Sequence, residues 1–333
     1  MTIKNLALAL GAAVVLGGSA SADQPVLSVY TYDSFASEWG PGPAIERGFE
    51  ATCGCDLEFV GIDSSIGAFN RLRLEGATSK ADVLLGLDVN LAGDARESGL
   101  FAPHGVALEG LNTPVVWDDD TFAPFDWGHF AFVYDTRRTA EPPRSFEDLL
   151  AAPKSLKIAI QDPRSSTPGL GLIMWVRAVY GDRAPDIWRQ LRPKILTVTK
   201  GWWDSYSLFL EGEADMVLSY TTSPAYHAVV DGETFIKAAG FAEGHYLQME
   251  LAAVTAASDD PDLARAFIAY LTGAEAQSAI PTTNWMFPVS PDAELPEAFG
   301  TLVKPDKTLA FDVAEAKANR KAWIEEWLAV MGE

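Results

Sequence analysis

The stretches WGHFAFVY (Trp127–Tyr134) and YLQMELAAV (Tyr246–Val254) decide how this chain folds. Each is a long, β-rich apolar run, and together they bracket the central third of the sequence. Strands of this length read as crossovers between two lobes. They divide the chain into a discontinuous first lobe, residues 23–125 with 255–310, and a second lobe, residues 126–254 with 311–333. The length of 333 residues agrees, because a single core rarely grows past roughly 250–300 residues.

Outward from these runs, strand and helix signals alternate. VLSVYTY (Val26–Tyr32), LEFVGI (Leu57–Ile62) and VLLGL (Val83–Leu87) read as buried strands. Lys157–Ile160, Thr197–Val198 and MVLSY (Met216–Tyr220) repeat the pattern in the second lobe. Between them, Ala44–Ala51 and Ser65–Glu75 carry helical spacing, and Gly76 ends the latter. The alternation predicts an α/β fold with parallel sheets flanked by helices. A final amphipathic helix is expected over Ala314–Val330.

The first 22 residues stand apart. Lys4 precedes an apolar run, Leu6–Leu16, and Ala20-Ser21-Ala22 closes the segment. This order reads as a secretory signal peptide cut before Asp23. The run is shorter than the roughly 20 residues of a membrane span, and no Cys stands at the cut to take a lipid. A soluble product in the periplasm of a two-membrane bacterium is expected. The formal charge of −21 argues against nucleic acid, whose phosphates call for basic patches. It suits a cationic ligand, and equally a merely solvated surface. Export favours a disulfide between Cys53 and Cys55, the two cysteines of the chain. So short a loop is awkward to close, and two free thiols are the alternative.

In open α/β sheets, ligands bind beyond the carboxyl ends of the strands. Those ends carry Tyr32-Asp33, Asp63-Ser64-Ser65, Asp88, Ser165-Ser166-Thr167, Trp202 and Tyr220-Thr221-Thr222-Ser223. Aromatic rings, hydroxyls and carboxylates at the facing edges of two lobes suit a polar, aromatic, cationic guest. Thr167-Pro168 reads as a helix start, so Ser166 and Thr167 stand where free N–H groups hold a phosphate or an alcohol, or cap the helix. Trp202 opens a helix after Gly201, and Trp285 lies in the turn-like PTTNWMFP (Pro281–Pro288). Both are placed to stack on a flat ligand or meet its charge, each contact being worth roughly 0.5–2 kcal/mol. Tyr220, Tyr226 and His227, with Asp33 or Asp88, also allow a ferric-ion reading, though no spacing demands it.

Longer motifs add a resemblance. YTYDSFASEWGPGPAIERGFEATCGC, NRLRLEGATSKADVLLGLD, FAPFDWGHFAFVYD, QDPRSSTPGLGL, VTKGWW, LSYTTSPAYH, EGHYLQMELAA and IPTTNWMFPV together resemble the periplasmic thiamine-binding protein family across nearly the whole mature chain. The resemblance implies a two-lobed periplasmic binding protein fold of type II with its ligand in the interlobe cleft. It implies capture of thiamine, thiamine monophosphate and thiamine diphosphate, and delivery to a membrane permease with its ATPase. Tyr32, Trp202, Tyr220, Tyr226 and Trp285 match ligand-facing aromatic positions. Ser166 and Thr167 match the alcohol or phosphate end, and Thr221, Thr222 and Ser223 match the polar run beside Tyr220. Where the family has Asp-Gly, this chain has Ser64-Ser65, preceded by Asp63. Asp63 is therefore expected to balance the thiazolium charge, with Asp33 in reserve.

Two other functions compete. Thiaminases of the first type resemble this fold and use a cysteine nucleophile, which must be a free thiolate near the ligand. Cys53 and Cys55 lie away from the strand ends, and no catalytic residue is expected. A ferric-ion carrier is the other, distinguishable by a coloured phenolate complex.

Overall fold

The computed structural model describes residues 24–333, so the leader segment and its cut before Asp23 lie outside the described residues. Eight strands form the backbone of the sheet. They are β1 (Val26–Tyr32), β2 (Asp56–Ile62), β3 (Val83–Asp88), β4 (Ala123–Asp135), β5 (Ile158–Gln161), β6 (Ile195–Thr199), β7 (Met216–Tyr220) and β8 (His245–Thr255). Their spatial order is β2-β1-β3-β8-β4-β7-β5-β6, with four short strands added at the margins.

The outer strands are parallel, as the alternation predicts: β1 with β2 and β3, and β5 with β6 and β7. The crossover strands differ. β8 is antiparallel to β3 and to β4, and β4 is antiparallel to β7. The reason is topological. β4 leaves the first lobe and β8 returns to it, so they run in opposite directions side by side. The Ala123–His129 half of β4 pairs with β8, while its Phe130–Tyr134 half pairs with β7. One strand therefore serves both lobes, and the two sheets join into a single hydrogen-bonded path.

Seven helices matter for the site: α1 (Gly42–Cys53), α2 (Ser65–Glu75), α3 (Thr167–Tyr180), α4 (Ala184–Leu191), α5 (Trp202–Leu210), α6 (Pro261–Leu271) and α7 (Val313–Gly332). Their ends follow local chemistry. Ser64 caps α2 by accepting from the Gly67 amide at 2.9 Å, and Gly76 ends it with φ +55°. Asp260 caps α6 and Asp312 caps α7 in the same way.

The core has three main parts. Leu27, Phe35, Phe49 and Phe267 fill one face of the first lobe. Tyr206, Phe209 and Val217 fill one face of the second. A larger cluster runs from Tyr30 and Leu84 to Phe132, Trp175 and Trp188 and spans both lobes. Each fully buried Phe or Leu contributes roughly 1.5–3 kcal/mol. A Cβ at Gly171 would overlap the Phe130 ring, so glycine lets α3 lie directly on β4.

The last segments touch both halves. Arg177 of α3 donates to Glu326 of α7 at 2.5 Å, and Trp327 meets Trp188 edge-on. On its other flank α7 pairs Arg320 with Asp94 at 2.6 Å and lays Lys317 over Gly93. Before α7, Thr308–Leu309 pairs with His245–Tyr246, and Phe299 and Leu302 cluster with Ala225.

Candidate functional site

The lobes meet across the carboxyl ends of their strands. Lys200, just before α5, forms an ion pair with Asp63, which follows β2. Exposed Trp39 and Trp203 face each other there with ring centroids 6.1 Å apart. Inside this rim the aromatic residues form a connected set. The Tyr32 hydroxyl lies 3.3 Å from Asn284 Oδ1, and Asn284 precedes Trp285. The Trp285 ring meets Tyr226 edge-on at 5.5 Å. The Trp202 indole N–H donates to Ser219 Oγ at 2.8 Å, and its ring stacks on Tyr206 at 4.9 Å. Ser219 Oγ is 2.8 Å from Ser223 Oγ, which accepts from the Tyr220 amide. Tyr220 packs its ring against Phe130 at 5.3 Å.

Local backbone explains two of these placements. Pro281 starts a wide turn over Ile280–Asn284, and Trp285 closes it at φ +57°, the left-handed region that bulky residues rarely occupy. Such strain collects at functional positions. Gly86 has φ +93°, and a Cβ there would lie 2.6 Å from the Tyr32 ring. Its absence seats Tyr32 flat on β3.

The helix start over Ser166 and Thr167 is refined by the geometry. Ser166 is the cap residue and Thr167 the first helical one, with Pro168 next. Neither hydroxyl caps: Ser166 makes no side-chain cap bond, and Thr167 Oγ1 is buried without a partner. Thr221 Oγ1 is likewise unpartnered, and Thr222 rests its hydroxyl 3.9 Å from Met286 Sδ. Ser64 is occupied with capping α2, and Ser65 is buried with its hydroxyl beside Gly86. Asp33 and Asp63 are exposed.

Three buried carboxylates lie closer in. Asp88, Glu250 and Asp126 are 1%, 4% and 0% exposed, and they are direct lateral neighbours in β3, β8 and β4. The Tyr32 hydroxyl donates to Glu250 Oε2 at 2.7 Å. Asn284 donates to Asp126 at 2.6 Å, and Asn90 donates to Asp88 through both its backbone and its side chain. Burial pushes Asp88 up to about 7 despite these bonds and the field of Arg320. Burial also raises Asp126. It raises Glu250 well above its ordinary range, and the Asp126 charge adds to that. Tyr32 and Tyr220 are raised by burial, then by Glu250, and stay neutral.

Residues 31–278 match the family of bacterial extracellular solute-binding proteins. The chain belongs to that family. Its sequence is 53% identical over 304 residues to a thiamine-binding periplasmic protein of Escherichia coli K12, covering 91% of this chain and 93% of that protein. It is 47% identical over 325 residues to one from Brucella melitensis, covering 97% of both. A solved periplasmic thiamin binding protein superposes with a TM-score of 0.90 at 52% identity, over 92% of this chain and 96% of that one. A ferric binding protein from Campylobacter jejuni, at 20% identity and a TM-score of 0.74 over 91% of this chain and 99% of that one, shares the fold alone.

This solute-binding protein has the two-lobed α/β architecture of periplasmic binding proteins, and it is a binding protein, not an enzyme. Cys53 and Cys55 are bonded to each other, with Cα atoms 5.2 Å apart, so neither is a free thiolate. Sequence reasoning named Asp88 at its strand end but missed Asp126, Glu250, Gln248 and Asn284. A signal existed: an acid inside an otherwise apolar strand, as in APFDWGHF and LQMELAA, marks a carboxylate carried into the core.

Proposed function

We propose that this chain captures thiamine, and its monophosphate and diphosphate, in the periplasm and delivers it to the permease and ATPase of an ABC importer. The observation that carries the reading is the aromatic set Tyr32, Trp202, Tyr220, Tyr226 and Trp285 gathered between the lobes of a chain 53% identical to a thiamine-binding relative. Flat rings of this kind stack on a pyrimidine and face a thiazolium, which is an organic cation. Ser166 and Thr167 supply the anion end. They stand at the start of the 14-residue helix α3, where backbone N–H groups lack partners, and Thr167 Oγ1 is unsatisfied until a ligand oxygen reaches it. Thr221, Thr222 and Ser223 border the same space from the end of β7.

Calorimetry on the mature protein with thiamine and its two phosphates tests the proposal. Saturable one-to-one binding with quenching of tryptophan fluorescence is expected. Absence of heat and of quenching with all three overturns it. Colour on addition of ferric ion, with no response to thiamine, would favour the iron reading instead.

A further inference from the structure

In the row formed by Asp88, Glu250 and Asp126, Asp88 caps the turn over Val89–Leu91, but no helix cap accounts for Glu250 or Asp126. Residues directly opposite in neighbouring strands put their Cβ atoms about 4.5–5.5 Å apart, and like charges at that separation are destabilising. Burial makes the conflict worse, since an uncompensated interior charge costs several kcal/mol. Yet none of the three takes part in an ion pair with Lys or Arg among the described residues. The Arg320 guanidinium, the cation whose field reaches Asp88, hydrogen-bonds Asp94 instead. What surrounds the row is neutral: Asn90, Asn284, Tyr32 and Gln248 donate to it.

A second feature points outward from the row. Gln248 is 2% exposed and donates its amide to Glu250 Oε1 at 3.1 Å, but its own Oε1 has no partner. Asp88 Oδ2 is unpartnered too, and the Asp126 and Glu250 carboxyls lie within hydrogen-bonding reach of each other, which only a shared proton can satisfy. Two acceptor oxygens, Gln248 Oε1 and Asp88 Oδ2, therefore lie buried without a partner on β8 and β3, at the strands that join the lobes. Buried acceptors in a native protein have partners, so these await a donor or a cation.

We infer that this row is the subsite receiving the positive charge of the bound organic cation, and that occupancy expels protons the row holds when empty. The inference rests on the thiamine reading and deepens it. It moves to the hinge strands the compensating role that the sequence assigns to Asp63, whose carboxylate is exposed and paired with Lys200. The exchange conserves charge: a cation enters, and a neutral carboxyl releases H⁺ to solvent and becomes the carboxylate that faces it. The titratable groups around the row are Tyr32 from β1, Tyr220 from β7, Tyr246 from β8 and Arg320 from α7. Burial raises the three tyrosines above their ordinary range, which leaves the row itself as the local source of protons.

The test is calorimetry of thiamine binding at about pH 7.5 in buffers of different ionisation enthalpy, on wild type and on Glu250→Gln. Wild type is expected to release protons and to bind more tightly as pH rises. Glu250→Gln keeps an acceptor for Tyr32 but removes a charge. It should release fewer protons and bind thiamine at least ~30-fold more weakly, the scale on which a buried charge contact is lost. Its affinity for the neutral aminopyrimidine fragment should change less than ~3-fold. Thiamine binding to wild type without proton release overturns the inference and leaves the thiamine reading intact. Equal proton release and affinity in the two proteins overturns it as well. Failure of wild type to bind thiamine overturns both. If the variant does not fold, the wild-type buffer series decides alone.

Discussion

At the scale of single residues, Trp202 and the Ser166–Thr167 pair make the sharpest tests. Trp202 is half-buried, held at one edge by Ser219 and on one face by Tyr206. The rest of its ring is available to a ligand. Trp202→Ala is expected to weaken thiamine binding by roughly 1–3 kcal/mol with circular dichroism unchanged, and unchanged affinity would remove it from the site. Ser166→Ala combined with Thr167→Ala should weaken thiamine monophosphate more than thiamine, since a phosphate depends more on charge-assisted hydrogen bonds. The unpartnered Thr167 hydroxyl makes the stability cost small, and equal losses for the two ligands would indicate that the phosphate lies elsewhere.

At the scale of elements, β3 is shaped for what lies over it. Gly86 adopts a left-handed φ and leaves its Cβ position to the Tyr32 ring, whose hydroxyl then reaches Glu250. Gly86→Ala combines backbone strain with a clash, so it should destabilise the fold by more than about 1 kcal/mol and also weaken ligand binding. Thermal melts and calorimetry on the variant measure the two losses separately. Normal affinity in a correctly folded variant would show that Tyr32 need not sit where β3 puts it. The helix α7 illustrates the opposite case, an element placed by its contacts and not by its own pattern. Its Trp327 reaches α4 on one side and its Arg320 reaches Asp94 on the other, so it straps the two halves together.

At the scale of the whole molecule, the buried acids set how stability depends on pH. Groups whose folded values are raised bind more protons in the native than in the unfolded state, so stability falls as pH rises through that window. Asp88, raised to about 7, and Asp126 and Glu250, also raised, all act in this direction. His129 acts oppositely at lower pH: burial, then the nearby His245, lowers it to about 4, so its stabilising contribution is lost as pH falls below its ordinary value. The two effects separate above roughly pH 6.5, the ordinary value of histidine. The unliganded protein is therefore expected to lose melting temperature between roughly pH 6.5 and 8.5. Glu250→Gln should flatten that slope. A wild-type melting temperature that holds or rises over the same interval would show that the row is already ionised when empty.

The sequence by itself determined the alternation of strands and helices, the long runs Trp127–Tyr134 and Tyr246–Val254, and the helix bounds at Ser65, Gly76 and Pro168. These are local matters, set by periodicity and capping within a few residues. It also named the aromatic and hydroxyl residues at the strand ends, because strand ends in such sheets face the ligand. Only the tertiary structure decided which carboxylates come together. Asp63 pairs with Lys200, while Asp88, Asp126 and Glu250 align from three strands. Lateral register between strands distant in sequence depends on the packing of both lobes at once, and no local pattern encodes it.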